Sequence, residues 1–438
     1  MNVEKIFYVI LSTILVTVFI LFTFVFSPGG FNSNNSTKLK TIYYVDHISS
    51  AHQKVIDLFN ERNKGSIKVE TINLSFEKFS TNERKELLAR YLRSKNNRID
   101  IFSVDQIWVP RFAKWGVPLN KILDSSEVSN IIPQALETCI YNDSLVAIPL
   151  YIDIGLMFYR DDILKQQPDY KQLVEKLENS ITWEDFIDLS KRFKTSSNPF
   201  YIFQADDYEG LLCSFAELMA NQNNPMISKD DKVLIDSPEG KKSLQLLVDL
   251  VNHYKISPQK VSMLRENESF RFFAENDGLF VRGWPSMIDD ENEFLSDEER
   301  ANIKIVPLPH LKDSDPKLVF GGWNLMVSKF SDKQSEVIQF AKFLLSEESQ
   351  KIMYEEGRYL PINTRLYADN NFINKYPDLI KLNNLYKYGV HRPFLEDYTN
   401  VSDILSYYLN LAIRKEINVD EALKDATKKI NEKVILVK

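Results

Sequence analysis

The stretch "TIYYVDHISSAHQKVIDLFNERNKGSIKVETINL", from Thr41 to Leu74, decides the fold class. Thr41–Val45 is rich in β-branched and aromatic residues and predicts a strand. Ser49 or Ser50 stands where a helix N-cap belongs. Val55, Ile56 and Phe59 share one helical face up to about Asn63, and Gly65 stops the helix. Ile67–Leu74 predicts a second strand. The pattern then repeats. Glu77–Ser94 predicts a charged helix that turns Leu87, Leu88 and Tyr91 inward, and Ile99–Val104 predicts a third strand. Strand, helix, strand, helix, strand at this spacing predicts parallel βαβ units and an α/β protein.

Working outward, further strands are expected around Val146–Ile148, Gly155–Tyr159, Gly278–Val281, Ile303–Val306 and Leu325–Val327. Trp183 to about Tyr254 reads as mainly helical, with clear periodicity over Ser243–Val251. Glu336–Leu345 is amphipathic through Val337, Phe340, Ala341 and Leu344. Helices are expected from Val401 to about Ile413 and from Asn418 onward. Asn418 and Glu421 have capping-box spacing ahead of a stripe of Leu423, Ala426 and Ile430.

The 438 residues suggest two or three domains. A net charge of −7 without a basic stripe argues against nucleic acid. Cys139 and Cys213 are far apart and form no CxxC. They read as small buried side chains, with a disulfide open only in an oxidising compartment. Ile6 to Phe26 runs 21 residues without a charge, enough to span a bilayer core of about 20 residues. It reads as an uncleaved transmembrane anchor or a signal helix, after a cytoplasmic tail at 1–5. No nearby cysteine offers a lipid anchor. Residues 27–40, including "FNSNNST", read as a linker.

Catalytic signatures are absent: no HExxH, GxSxG, P-loop or GxGxxG occurs, and no metal or cofactor is called for. The pairs Asp161-Asp162 and Asp206-Asp207 read as solvated surface. What remains is aromatic and polar. Trp108, Trp284 and Trp323 stand in or beside loops at strand ends, where open α/β sheets bind ligands. An indole face can stack on the CH face of a sugar ring while carboxylates and amides hydrogen-bond its hydroxyls. Asp105, Asp153 and Gln204 are candidates for that work. Gly321 and Gly322 precede Trp323 and are expected to bend the chain or admit a close approach.

Several segments resemble the family 1 extracellular solute-binding proteins of ABC importers, a maltose-binding-protein-like group. They are "IDIFSVDQIWVPRFAKWGVPLNKI" (99–122), "IPLYIDIGLMFYRDDIL" (148–164), "TWEDF" (182–186), "GLFVRGWPSM" (278–287), "VIQFAKFLLSEESQKIMYEEGRYLPIN" (337–363) and "INVDEALKDATKKI" (417–430). They occur in the family's order and span nearly all of the chain after residue 40. The resemblance implies a two-lobed periplasmic-binding-protein-like fold with hinge-crossing strands. Lobe 1 would hold 41–150 and 320–365, and lobe 2 would hold 152–318 and 366–438. It implies a monomer outside the cytoplasm that binds a mono- or oligosaccharide between lobes and delivers it to ABC permease subunits.

Implied contacts are Asp153 at the hinge and Trp284, although the order here is Gly-Trp-Pro where the family has Gly-Pro-Trp. Asp105 and Trp108 lie in the third-strand loop, and Trp323 follows Gly322. Asp46 follows the first strand, and Tyr151 lies in the crossing segment. Two other classes stay open: an anchored sensor feeding a receptor or histidine kinase, and an enzyme on the same fold. With Trp323 as a stacking platform, Trp323→Ala should weaken binding and leave the melting temperature little changed.

Overall fold

The computed structural model describes residues 39–435 apart from 76, 77, 80, 96, 97, 121, 194–197, 229 and 291–294. The expected helix at 6–26 and its flanks up to residue 38 lie outside them. No described helix is long and apolar enough to cross a membrane.

Two sheets organise the chain. In the first, β1 (Lys40–Asp46) pairs in parallel with β2 (Ile67–Asn73) and β3 (Ile101–Asp105), as the βαβ reading expects. Helix α1 (Ser50–Arg62) connects β1 to β2, and α2 (Thr81–Arg93) connects β2 to β3. The Ser49 side chain caps α1 by accepting from the His52 backbone N–H. Val55, Ile56 and Phe59 are buried along α1. Phe59 meets Phe340, with ring centroids 5.0 Å apart, from the later helix Gln334–Leu344. Each such buried side chain contributes about 1.5–3 kcal/mol. On α2, Leu88 is inside, but Tyr91 is 46% exposed and Leu92 takes the inward place. The apolar face is rotated by one residue from the one expected.

A short hairpin, β4 (Ile140–Tyr141) and β5 (Ser144–Leu145), precedes β6 (Ile148–Ile154). The second sheet has the order β10-β7-β9-β8, from β7 (Leu156–Arg160), β8 (Tyr201–Ile202), β9 (Phe280–Gly283) and β10 (Ile303–Val306). β7 is antiparallel to both β9 and β10. Helices α3 (Glu209–Asn221), α4 (Pro238–Asn252), α5 (Tyr398–Ile413) and α6 (Val419–Asn431) bury their apolar faces in the second core. The α6 cap forms as expected, with Asn418 Oδ1 accepting from the Glu421 N–H at 2.9 Å.

The sheets are joined where strands pass between them. β6 ends at Ile154, and β7 begins at Leu156 after a single glycine. The Gly155 N–H donates to the Val319 carbonyl at 3.0 Å. Val319 belongs to β11 (Leu318–Val327), whose ten residues are all buried. β11 is antiparallel to β3 along one edge and to β6 along the other. A third segment, β12 (Gly389–Val390), lies parallel to Leu318–Val319. The apolar side chains of Leu318–Phe320 join the second core, and those of Trp323 and Leu325–Val327 join the first. The fold is thus α/β and two-lobed, with adjacent hinge-crossing strands.

Gly321 and Gly322 make no bend. Both lie inside β11, where pairing with Asp153 and Ile152 of β6 holds the strand extended. Their purpose is close approach. Gly322 has φ +131°, and a Cβ there would sit 2.6 Å from the Tyr151 carbonyl oxygen. A Cβ on Gly321 would sit 2.9 Å from Cζ3 of Trp284. The surface reading of Asp161 also fails. It is 3% exposed, accepts from the Tyr170 hydroxyl at 2.7 Å and pairs with Lys165 at 2.7 Å. Cys139 and Cys213 are free and buried in different cores, so they form no bridge. Burial pushes the Cys213 thiol up to about 12.

Gly322→Ala should therefore destabilise the protein by at least the ~1–3 kcal/mol of a strained backbone position. Urea unfolding checks this. An unchanged midpoint would mean that the strand accommodates a Cβ at this point.

Candidate functional site

Strand direction brings the candidate residues to one place. β1 and β3 are parallel, so Asp46 and Asp105 close them at the same sheet end. β11 runs against β3, which sets Trp323 opposite Asp105. β6 runs against β11, which sets Asp153 opposite Gly321 and Tyr151 opposite Trp323. In the second sheet β8 and β9 are parallel. Gln204 follows β8, and Trp284 follows β9 directly. Leu156, at the start of β7, pairs with Gly283, so the end of β9 faces the crossing. The predicted residues from both sheets thus converge on the junction.

They are not equally available there. Asp46 is 4% exposed and committed to its own lobe. It accepts from the Tyr44 hydroxyl at 2.5 Å, the His47 N–H at 2.7 Å and Arg84 Nη2 at 3.2 Å. Trp323 belongs to the first core. The Arg84 guanidinium lies 4.3 Å from its ring centroid, and Trp108 meets it edge-on at 5.5 Å. Trp108 is itself buried among Trp323 and Phe112. Tyr151 packs on Tyr359, with centroids 4.6 Å apart. Gln204 is fully buried. Its Nε2 donates to the Arg282 carbonyl at 2.9 Å, and its Oε1 accepts from Arg282 Nη1 at 3.2 Å.

Asp105 and Trp284 sit where the lobes meet. Asp105 accepts from the Ile107 N–H and from Arg392 Nη2, each at 3.2 Å. Burial raises its pKa, and Arg392 partly reverses that. Arg392 also donates to Glu209 at 2.6 Å, and Glu209 accepts from the Tyr398 hydroxyl at 2.7 Å. One guanidinium therefore links the end of β3 to the start of α3. Trp284 is only partly buried. Its ring packs over Gly321 and has the Arg282 guanidinium 5.0 Å from its centroid. Asp153 lies beside Gly321, whose added Cβ would be 3.1 Å from the Asp153 Cβ.

Arg84, Arg392, Glu209, Arg282 and Glu217 were missed in the sequence. Arg282 had a signal, a charge inside the apolar run "GLFVRGW". Such a residue in a buried strand must be paired. Arg84 had none, because it sits in the charged sequence of α2. Chemically, the junction sets the partly buried Trp284 ring beside carboxylates, with buried guanidinium groups paired behind them. That suits a ligand with both apolar faces and many hydroxyls.

The sequence profile of the bacterial extracellular solute-binding proteins matches residues 54–380. A probable ABC transporter-binding protein of Deinococcus radiodurans is 24% identical over 351 residues, 78% of this chain and 81% of that protein. An arabinooligosaccharide-binding protein of Bacillus subtilis is 23% identical over 247 residues, 54% of this chain and 53% of that protein. Among solved structures, maltose-bound T. maritima MalE3 is 25% identical with a TM-score of 0.81, covering 90% of this chain and all of that one.

Two outcomes follow from this packing. Trp323→Ala should cost about 3–5 kcal/mol of stability, as for a buried large aromatic, so its melting temperature should fall clearly. That replaces the expectation of a little-changed melting temperature. Burial lowers the pKa of His47 to about 4, with His52 and Arg84 adding to the effect and Asp46 opposing it. A depressed histidine is neutral in the fold, so its contribution is full above its unfolded value of about 6.5 and is lost as pH falls toward 4. The melting temperature should drop between pH 7.5 and pH 5, and drop less in His47→Gln. Identical pH profiles would refute the assignment.

Proposed function

The chain belongs to the bacterial extracellular solute-binding proteins, and from that premise we propose that it captures a carbohydrate between its lobes and hands it to an ABC-type permease. The lobes would be 41–150 with 320–365, and 152–318 with 366–438. Adjacent crossing strands suit a hinge, and ligand bound to both lobes would favour the closed state. The observation that carries this reading is the partly buried Trp284 of the second sheet resting on Gly321 of the shared strand, beside Asp153. Trp284 would stack on a sugar face, and Asp153 and Asp105 would accept from sugar hydroxyls. Tyr151, Trp108, Asp46 and Gln204 would act from behind, by holding the residues that touch ligand. The sugar-binding relatives support the ligand class, and the transporter-binding relative supports delivery to a permease.

The family places the working chain outside the cytoplasm. The apolar run Ile6–Phe26 would anchor it to the membrane as a monomer. That run also suits a second role, in which the anchored lobes report ligand to a receptor or histidine kinase.

Titration calorimetry with a panel of mono- and oligosaccharides tests the proposal, with amines and anions as controls. At least one carbohydrate should bind, and Trp284→Ala should weaken it by about tenfold or more, ~1.4 kcal/mol. Binding only of an amine or anion would sink the sugar assignment. Gene deletion separates the two roles. Loss of uptake with unchanged transcription favours delivery, and the reverse favours sensing.

A further inference from the structure

Among the described residues, the most deeply buried charged pair of the second lobe is not among the expected ligand contacts. Arg282, on β9, is fully buried, and Glu217, on α3, is 6% exposed. Their contact is bidentate. Arg282 Nη2 donates to Glu217 Oε1 at 2.7 Å, and Nε donates to Oε2 at 3.1 Å. The third guanidinium nitrogen, Nη1, donates to Gln204. Burial alone would lower the arginine pKa, but Glu217 more than offsets it and keeps the group charged.

This pair meets the junction at three points from the second-lobe side: β11, Gly155 and Trp284. Glu217 Oε1 also accepts from the Val319 N–H at 3.3 Å, at the start of β11. It occupies the space of a side chain at Gly155: a Cβ there would sit 2.5 Å from Glu217 Oε1 and 3.0 Å from Arg282 Nη2. Gly155 is the single residue between β6 and β7. The same guanidinium lies 5.0 Å from the Trp284 ring centroid. Trp284 in turn lies on Gly321.

We propose that the Arg282–Glu217 pair is a positioning unit: it sets the orientation of Trp284 and ties the hinge strands to the second lobe, so that one interaction governs both the stacking surface and lobe opening. The importance of this for ligand binding rests on the carbohydrate reading above; the structural coupling does not. A bidentate arginine–carboxylate contact has the directionality for it, fixing a plane as well as a distance. Stability alone is a poor reason for such a pair, because well-packed apolar replacements of a buried ion pair are often neutral or stabilising.

That property supplies the test, and no ligand is needed. The five tryptophans are labelled with 5-fluorotryptophan, and the Trp284 resonance is assigned with Trp284→Phe. Spin labels go on Glu61→Cys in α1 and Gln172→Cys in the helix Tyr170–Glu178, both exposed, while the native cysteines are buried. The double variant Arg282→Met/Glu217→Leu should unfold cooperatively, yet shift or split the Trp284 resonance and broaden the interlobe distance distribution. The Trp115 resonance, in the first core, should stay in place. Arg282→Lys keeps the charge without the planar fork, and Glu217→Gln keeps the size without the charge. Both should move the Trp284 resonance, which covers failure of the double variant to fold. A Trp284 resonance and a distance distribution unchanged from wild type in these variants would overturn the proposal. Failure of every sugar to bind would instead sink the carbohydrate reading and leave this one standing.

Discussion

The structure depends on one strand being able to run unbroken through the meeting point of two cores. β11 is buried along all ten residues, pairing with β6 over Phe320–Leu325 and with β3 over Trp323–Val327. That demands a place where neighbouring groups come closer than any side chain allows. Gly321 and Gly322 supply it: one admits the Trp284 ring and the other the Tyr151 carbonyl. Gly155 does the same for the Glu217 carboxylate. Replacing any of these with a larger residue would displace the neighbours packed against it at the junction. The hinge is made of strands whose neighbours are fixed.

The junction also holds several buried charges. Asp46 with Arg84, Asp105 with Arg392 and Glu209, and Arg282 with Glu217 all lie near it. Each charge removed from water costs several kcal/mol unless paired, and pairing roughly restores the balance. Such groups therefore contribute little net stability. What they contribute is geometry, because each carboxylate accepts from fixed donors in a known direction. Trp323 illustrates the result. Its ring is held by Arg84 and by a T-shaped contact with Trp108, so it is part of the first core. Trp284, only partly buried, keeps the surface that the proposed sugar would meet.

Much of the fold was legible in the sequence because hydrophobic period and turn residues are local. Thr41–Val45, the Ser49 cap and the Val55, Ile56, Phe59 face all appear where expected. Tyr91 shows the limit, since a helix face can be misread by one residue when its apolar positions are few. Gly321-Gly322 shows another. Two glycines look like a turn, and only the partners on β6 and the Trp284 ring explain them as a close approach. For the site, sequence named residues that the strand ends do bring together. It could not tell which were already occupied. The partners Arg392, Glu209 and Glu217 come from distant segments, and their pairing is a property of the folded chain. Local pattern carries no trace of it.

In the proposed function, ligand meets both lobes at the crossing of β11. The most direct measurement is a crystal structure grown with a carbohydrate that calorimetry shows to bind. The account predicts sugar density against the Trp284 ring and within hydrogen-bonding distance of Asp153. Density at any other surface, with the Trp284 ring still packed on Gly321, would contradict it.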